Sequence, residues 1–293
     1  KIGKMMTTTF KWRVVVSFVA CLLSASSRFD EVLILTEGRS GSTFLGELLS
    51  HGAHTSYLYE PCRSLQLQNS LLGEYSESLC EELVGRLLDC SATEADLDTI
   101  VHDWNAIDKS AKWVGDLRAK AKAGGGLVMQ AAYRSHCKNT IRVVKEIRLH
   151  HGGGAYLLQR KETAVVHLVR DARAVVSSRL RIPSFCGRKG APKCALELCQ
   201  AMEQTHNGTR NAASASVGNG GGGRFRLLRF EDLAENPLRE SKSLFQWLGW
   251  AFDGEAVKWV KASTGKHTRQ RRRRLQAQPR QQQQQQPQQQ WGE

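Results

Sequence analysis

Two clusters of residues in this 293-residue chain have the types and order needed to hold a phosphorylated ligand. The first is Glu37-Gly38-Arg39-Ser40-Gly41-Ser42-Thr43, placed between the apolar run Val32 to Leu35 and a set of spaced apolar residues, Phe44, Leu45, Leu48 and Leu49. The short branched run predicts a buried parallel strand, and the spacing that follows predicts an amphipathic helix. A strand that turns through Gly and Ser into a helix start is an anion cradle. The first helical turn has N–H groups without partners at the positive end of the macrodipole, Ser and Thr add hydroxyls, and Gly41 lets a ligand approach the backbone. Arg39 adds a permanent cation at the mouth, so phosphate is the guest these groups suit.

The loop is not the usual ATP loop. G-x-x-x-x-G-K-[ST] requires a Lys after its second Gly, and here Gly41 is followed by Ser42 and Thr43. Nor is it the dinucleotide fingerprint, because Gly38 and Gly41 are wrongly spaced for G-x-G-x-x-G.

The second cluster repeats the pattern. Ala164 to Val169 reads as a buried strand, Arg170-Asp171 as the turn, and Ala172 to Leu180 as a helix that Asp171 can cap. Arg170 stands at the carboxyl end of that strand and Ser178 two turns into the helix. A guanidinium can grip phosphate in bidentate fashion, and a hydroxyl can supplement it.

These residues need a scaffold. Thr55 to Tyr59 reads as a further strand ending at Glu60-Pro61, which places Glu60 where ligands bind in an open α/β sheet. Cys62 to about Asp103 reads as helical, with Leu79, Leu83, Leu87 and Leu88 on one face, and Thr140 to Val144 is β-rich and leads into Lys145-Glu146-Ile147-Arg148. Gly124 to Gly126 and Gly152 to Gly154 read as joints in surface loops. The expected fold is an α/β, P-loop-like, mainly parallel open sheet flanked by helices. Its organisation is an N-terminal segment 1–28, one domain 29–265 and a tail 266–293.

The formal charge is +14, of which seven Lys or Arg against Glu293 place +6 in the tail and leave +8 elsewhere. Such a balance favours polyanionic partners. The Arg and Gln runs of the tail read as a disordered, solvated extension rather than a nucleic-acid arm, so nucleic acid is not the expected partner. At the other end, Lys1, Lys4, Lys11 and Arg13 precede the apolar run Val14 to Leu23 and then Ser24 to Ser27, the pattern of a secretory signal. A retained signal anchor, with Phe10 and Trp12 at the interface, is the alternative.

Eight cysteines fit an oxidising lumen: Cys21 lies in the apolar segment, and the other seven leave one without a partner. Cys186, Cys194, Cys199 and His206 invite a zinc reading, but the spacing lacks the paired knuckles of a structural site, and no metal is expected. Asn207-Gly208-Thr209 is a glycosylation sequon, read as lying in a polar loop.

Taken together, RSGSTF after the first strand and VRDARAVVSSRL after the later one resemble the two nucleotide-binding elements of the PAPS-dependent sulfotransferases. The likeness is to the Golgi carbohydrate sulfotransferases that modify the 6-hydroxyl of galactose, N-acetylgalactosamine or N-acetylglucosamine. YLYEP at Tyr57 to Pro61, VVKEIRL at Val143 to Leu149, the Cys194 and Cys199 pair, and RFEDLAENP at Arg229 to Pro237 support it. The resemblance implies that Arg39, Ser40, Gly41, Ser42, Thr43 and Phe44 hold the 5′-phosphosulfate of 3′-phosphoadenylyl sulfate (PAPS), and that Arg170 and Ser178 hold its 3′-phosphate. It implies catalysis by Glu60 as general base, with Arg39 as a charge at the leaving phosphate. By position, Lys145 is a further candidate at the sulfonate or else a basic rim residue, and His51 and His54, in the loop before the second strand, are weaker base candidates. The implied acceptor is a glycan or proteoglycan chain. The implied place is the Golgi lumen, as a type II membrane protein if the apolar segment is retained.

Two other classes fit parts of the pattern. One is a kinase-like phosphotransferase using ATP and Mg²⁺, and the other a module of this shape that holds acidic glycans without turnover.

Overall fold

In a computed structural model, the structure describes residues 29–277 apart from 53, 70–75, 104–109, 111, 151–156, 158, 159, 161, 187–189 and 218–222. Five strands, β1 (Glu31–Thr36), β2 (Thr55–Tyr59), β3 (Ile141–Glu146), β4 (Thr163–Val169) and β5 (Phe225–Arg229), form one sheet in the order β2-β3-β1-β4-β5. Every pairing is parallel. All carboxyl ends therefore lie on one edge. The chain leaves β1 for β2 and β3 on one side, then crosses to β4 and β5 on the other, so the order reverses at β1. Ligands bind outside the carboxyl ends at such a switch point.

All six residues of β1 are buried, as a central parallel strand covered on both faces requires. The period of two sorts its side chains. Leu33 and Leu35 join one core with Leu58, Val144 and Val165, covered by helices α3 (Glu77–Leu88), α4 (Glu94–His102) and α5 (Trp113–Lys138). Val32 and Ile34 join a second core with Val143, Val166 and Leu228, covered by α1 (Ser42–Ser50), α9 (Pro237–Leu248) and α10 (Gly254–Ala277). The remaining helices are α2 (Pro61–Asn69), α6 (Ala172–Arg179), α7 (Gly190–Val217) and α8 (Phe230–Glu235).

Several expectations change. Leu83, Leu87 and Leu88 are buried, but Leu79 is 38% exposed, because α3 turns only part of that stripe inward. Gly124 to Gly126 do not form a loop: they lie within α5, which breaks at Gly125, where φ is 74° and ψ is −174°. The sequon sits in α7, not in a loop. Asn207 is exposed there, but the Thr209 hydroxyl is buried and bonded to the carbonyl of Thr205 at 2.7 Å. The tail expected to be disordered from residue 266 is helical to Ala277 as the end of α10.

Disulfides join Cys62 to Cys80, Cys90 to Cys137 and Cys186 to Cys194. Among the described residues Cys199 is the free, exposed thiol, so Cys194 pairs with Cys186 and not with Cys199. Cys62, Cys80 and Glu146 lie close enough to share an ion, but both sulfurs are spent in the disulfide. Among the described residues no helix is long and apolar enough to cross a membrane, and the apolar segment within 1–28 and Gly152 to Gly154 lie outside them.

Candidate active site

The loop after β1 is built for an anion. Gly41 caps α1 in the left-handed conformation, φ 91°, with no side-chain cap hydrogen bond. The first-turn amides of Ser42, Thr43 and Phe44 are thus left to a ligand. Ser40 is buried and ties the turn by donating to the Glu37 carbonyl at 2.6 Å. Arg39 also has positive φ, 78°, a strained setting for a residue with a Cβ.

The turn after β4 meets this loop. Arg39 Nε donates to Ser178 Oγ at 3.0 Å, and Arg170 Nη1 donates to the Arg39 carbonyl at 3.0 Å. Arg170 also stacks on the ring of Phe230, 4.3 Å from its centroid. The same ring fills the space beside Gly41, where a Cβ would come within 2.3 Å of it. Asp171 caps α6 as expected, accepting from Arg173 N at 2.9 Å.

On the other side of β1, the ends of β2 and β3 carry a buried charge network. Lys145 Nζ pairs with Glu60 Oε1, Arg148 Nη1 lies 2.9 Å from Glu60 Oε2, and Arg148 also reaches Glu146 Oε1 at 3.3 Å. Glu146 is fully buried and accepts backbone N–H bonds from Ile147 at 2.8 Å and Cys62 at 2.9 Å. Burial raises the Glu60 pKa, but the Lys145 and Arg148 charges outweigh it and hold the carboxyl below its ordinary value. Burial pulls the Lys145 ammonium below the usual lysine value, against the attraction of Glu60. Glu60 has positive φ, 46°, so it shares with Arg39 a strained backbone position at the cleft.

One cleft of about 560 Å³ joins the two halves. Gly38, Arg39, Gly41, Ser42 and Thr43 line it beside Tyr59, Glu60, Lys145, Arg148 and Arg170, with Arg63, Gln66, Ile147, Ser184 and Phe185 completing the wall.

A family model described as the sulfotransferase family matches residues 31–254. The chain belongs to the sulfotransferase family. Carbohydrate sulfotransferase 1 of Danio rerio is 25% identical over 287 residues, covering 82% of this chain and 67% of that protein. Carbohydrate sulfotransferase 6 of Homo sapiens is 26% identical over 272 residues, covering 78% and 66%. Among solved structures, the sulfotransferase domain from the Synechococcus PCC 7002 olefin synthase aligns at TM-score 0.47 and 18% identity, over 77% of this chain and 75% of that one. The fold assignment rests on the strand order itself.

For a sulfotransferase, the site holds residues that the chemistry of single motifs did not single out. Phe230 supports both Gly41 and Arg170; it lies in the RFEDLAENP stretch, but only packing reveals its task. Tyr59 lies under Lys145, its ring centroid 4.0 Å from Nζ. Arg179 donates to the Gly38 carbonyl at 3.1 Å and pairs with Glu37 Oε2 at 2.9 Å. Two other candidates are elsewhere. His51 caps the far end of α1 against Trp259, and His54 precedes β2, both at the opposite edge of the sheet from the cleft. The physical reason is direction: α1 starts at the carboxyl edge and carries the chain back to the amino edge.

Glu37 is also pH-sensitive support for the loop. His150 Nδ1 contacts Glu37 Oε1 at 3.0 Å, an ion contact rather than an aligned hydrogen bond. Burial pulls the His150 pKa down, but Glu37 more than reverses this and leaves it raised. A raised histidine contributes stability that is complete below its unfolded value near pH 6.5 and lost as pH rises through the higher folded value. The melting temperature of the wild type, relative to His150→Gln, is therefore expected to fall as pH rises above about 6.5. Parallel melting profiles for the two proteins would exclude the contact as a stabiliser.

Proposed function

We propose that this sulfotransferase moves the sulfuryl group of PAPS to a sugar hydroxyl, the 6-hydroxyl of galactose, N-acetylgalactosamine or N-acetylglucosamine in a glycan or proteoglycan chain. The observation that carries the reading is the meeting of two phosphate-suited turns, Arg39 on Ser178 and Arg170 on the Arg39 carbonyl, opposite the buried Glu60 in one cleft. The carbohydrate sulfotransferases similar to this chain support a glycan acceptor.

The residues present fit the donor. Arg39, Ser40, Gly41, Ser42, Thr43 and Phe44 would hold the 5′-phosphosulfate, with the left-handed Gly41 and uncapped helix start supplying amides. Arg170 and Ser178 would hold the 3′-phosphate that separates this donor from ATP. The donor supplies an activated sulfuryl group and a phosphate leaving group. What the protein adds is position and charge: Arg39 and the α1 amides neutralise charge at the leaving oxygen, Lys145 faces the sulfonate, and Glu60 takes the acceptor's proton. Glu146 holds Arg148, and Arg148 holds Glu60 in place. No step asks for a metal.

The three disulfides among the described residues suit an oxidising lumen, and we place the enzyme in the Golgi, with the N-terminal apolar segment as signal or membrane anchor.

Isothermal titration of the full chain with 3′-phosphoadenosine 5′-phosphate (PAP), and with ATP plus Mg²⁺ for comparison, tests the donor. PAP is expected to bind the more tightly. Arg170→Ala is expected to weaken PAP by about 10- to 100-fold, the worth of a charge-assisted contact. Wild-type affinity in Arg170→Ala, or no PAP binding to folded protein, would overturn the assignment.

A further inference from the structure

Glu60 presents a difficulty as a base, since a carboxylate clamped between two cations holds its charge and attracts protons weakly. The clamp is asymmetric. Arg148 is fixed from behind by Glu146, which is itself fully buried and bonded to two backbone amides. Lys145 is tied less closely, feeling Glu146 only through its charge: its ammonium contacts Glu60 and rests 4.0 Å from the Tyr59 ring centroid, at the end of a four-carbon stem, and the residue is part of the cleft wall. The cation–π contact lets the ammonium swing toward the cleft without losing every partner. Glu60 cannot follow. Its backbone N–H donates to the Lys145 carbonyl at 2.8 Å, its φ is held at 46°, and Arg148 keeps its second oxygen.

We propose that Lys145 is a donor-operated latch on Glu60: the sulfonate of the arriving donor draws the ammonium off the carboxylate, and only then is Glu60 released to act as base. This rests on the functional reading above and adds an order to it, donor before acceptor chemistry. The charged and titratable groups facing Glu60 are Lys145 and Glu146 from β3, Arg148 just beyond it, and Tyr59 from β2, with Arg63 of α2 turned instead to Asp103 at 2.7 Å. Withdrawing one adjacent cation raises the proton affinity of a carboxylate by about 10- to 1000-fold. In the transfer step the acceptor oxygen bonds to sulfur and its proton passes to Glu60. The bond from sulfur to the departing phosphate oxygen breaks with its electron pair left on that oxygen, where Arg39 and the α1 amides meet the charge. Without donor, Lys145 keeps the base silent.

Calorimetry in buffers of different ionisation enthalpy counts the protons taken up on binding. At about pH 5, PAPS is expected to draw up to about one proton more into wild type than into Glu60→Gln, whereas PAP, which has no sulfonate, shows little difference between the two proteins. Subtracting the variant removes the titration of the ligands' own phosphates. In Lys145→Met, which keeps Glu60 but has no ammonium to withdraw, the PAPS-linked uptake is expected to disappear, so either variant suffices if the other does not fold. Equal wild-type-minus-variant uptake for PAP and PAPS, or full uptake in Lys145→Met, would overturn the latch. Failure of PAPS to bind at all would instead strike the functional reading.

Discussion

Glu60→Gln is expected to lower kcat for sulfate transfer by about 10²- to 10⁴-fold, the usual worth of a positioned general base, while PAP still binds. Gln keeps the shape of the side chain and its place between Lys145 and Arg148, but loses the proton acceptor. It also leaves Lys145, 1% exposed, without its counter-charge, so the melting temperature is expected to fall. The PAP titration therefore belongs beside the rate assay, to show that the site is still formed. Transfer at the wild-type rate would remove Glu60 as base. A wild type that binds PAP yet transfers sulfate to no galactose- or hexosamine-containing glycan would move the chain to the class of glycan-holding modules without turnover.

The second large effect is expected from Gly41→Val. At φ 91° a branched side chain is strained, and its Cβ would stand within 2.3 Å of the Phe230 ring. Backbone strain of about 1–3 kcal/mol and overpacking of a similar size are expected to push the loop or the ring aside. Either movement is expected to spoil the site, because the proposed function places the donor's phosphate on the loop amides, and Phe230 carries Arg170 at 4.3 Å. A loss of PAP affinity of more than about 100-fold follows if some 3 kcal/mol of this falls on the bound form. Binding within a few-fold of wild type would show that the donor does not use these amides. Gly38→Ala, by contrast, meets Phe185 rather than Phe230 and leaves the helix start alone.

The elements that carry the residues assigned to the donor were legible in the chain because each is local. Val32 to Leu35 is a short apolar run before a Gly/Ser turn, and it is β1 with one residue added at each end. Thr55 to Tyr59 is the whole of β2, and Asp171 caps α6 through its own neighbour Arg173. Patterns of this kind depend on the period of two or of 3.6 and on turn chemistry, which neighbours in sequence set by themselves. The misreadings also have local causes. Three successive glycines look like a loop, yet the helical stretches on either side bury Val114 and Leu117, and Met129, Tyr133 and Cys137, in one core and tolerate a break at Gly125. A polar sequon looks like a loop, yet Asn207 lies on the exposed face of a long helix.

By itself, then, the sequence determined the strand-turn-helix units, the two anion-suited turns, the acidic strand end at Glu60 and the family resemblance that joins them. Only the tertiary structure decided that Arg39 lies on Ser178, that Lys145 and Arg148 share the carboxylate of Glu60, that Phe230 backs Gly41, and that Cys186 rather than Cys199 bonds to Cys194. The physical reason is that a turn's conformation follows from a few adjacent residues, whereas the charge state and partners of a buried side chain follow from what the sheet order brings beside it. Parallel pairing of β1 with both β3 and β4 sets those neighbours, and no spacing along the chain encodes that pairing.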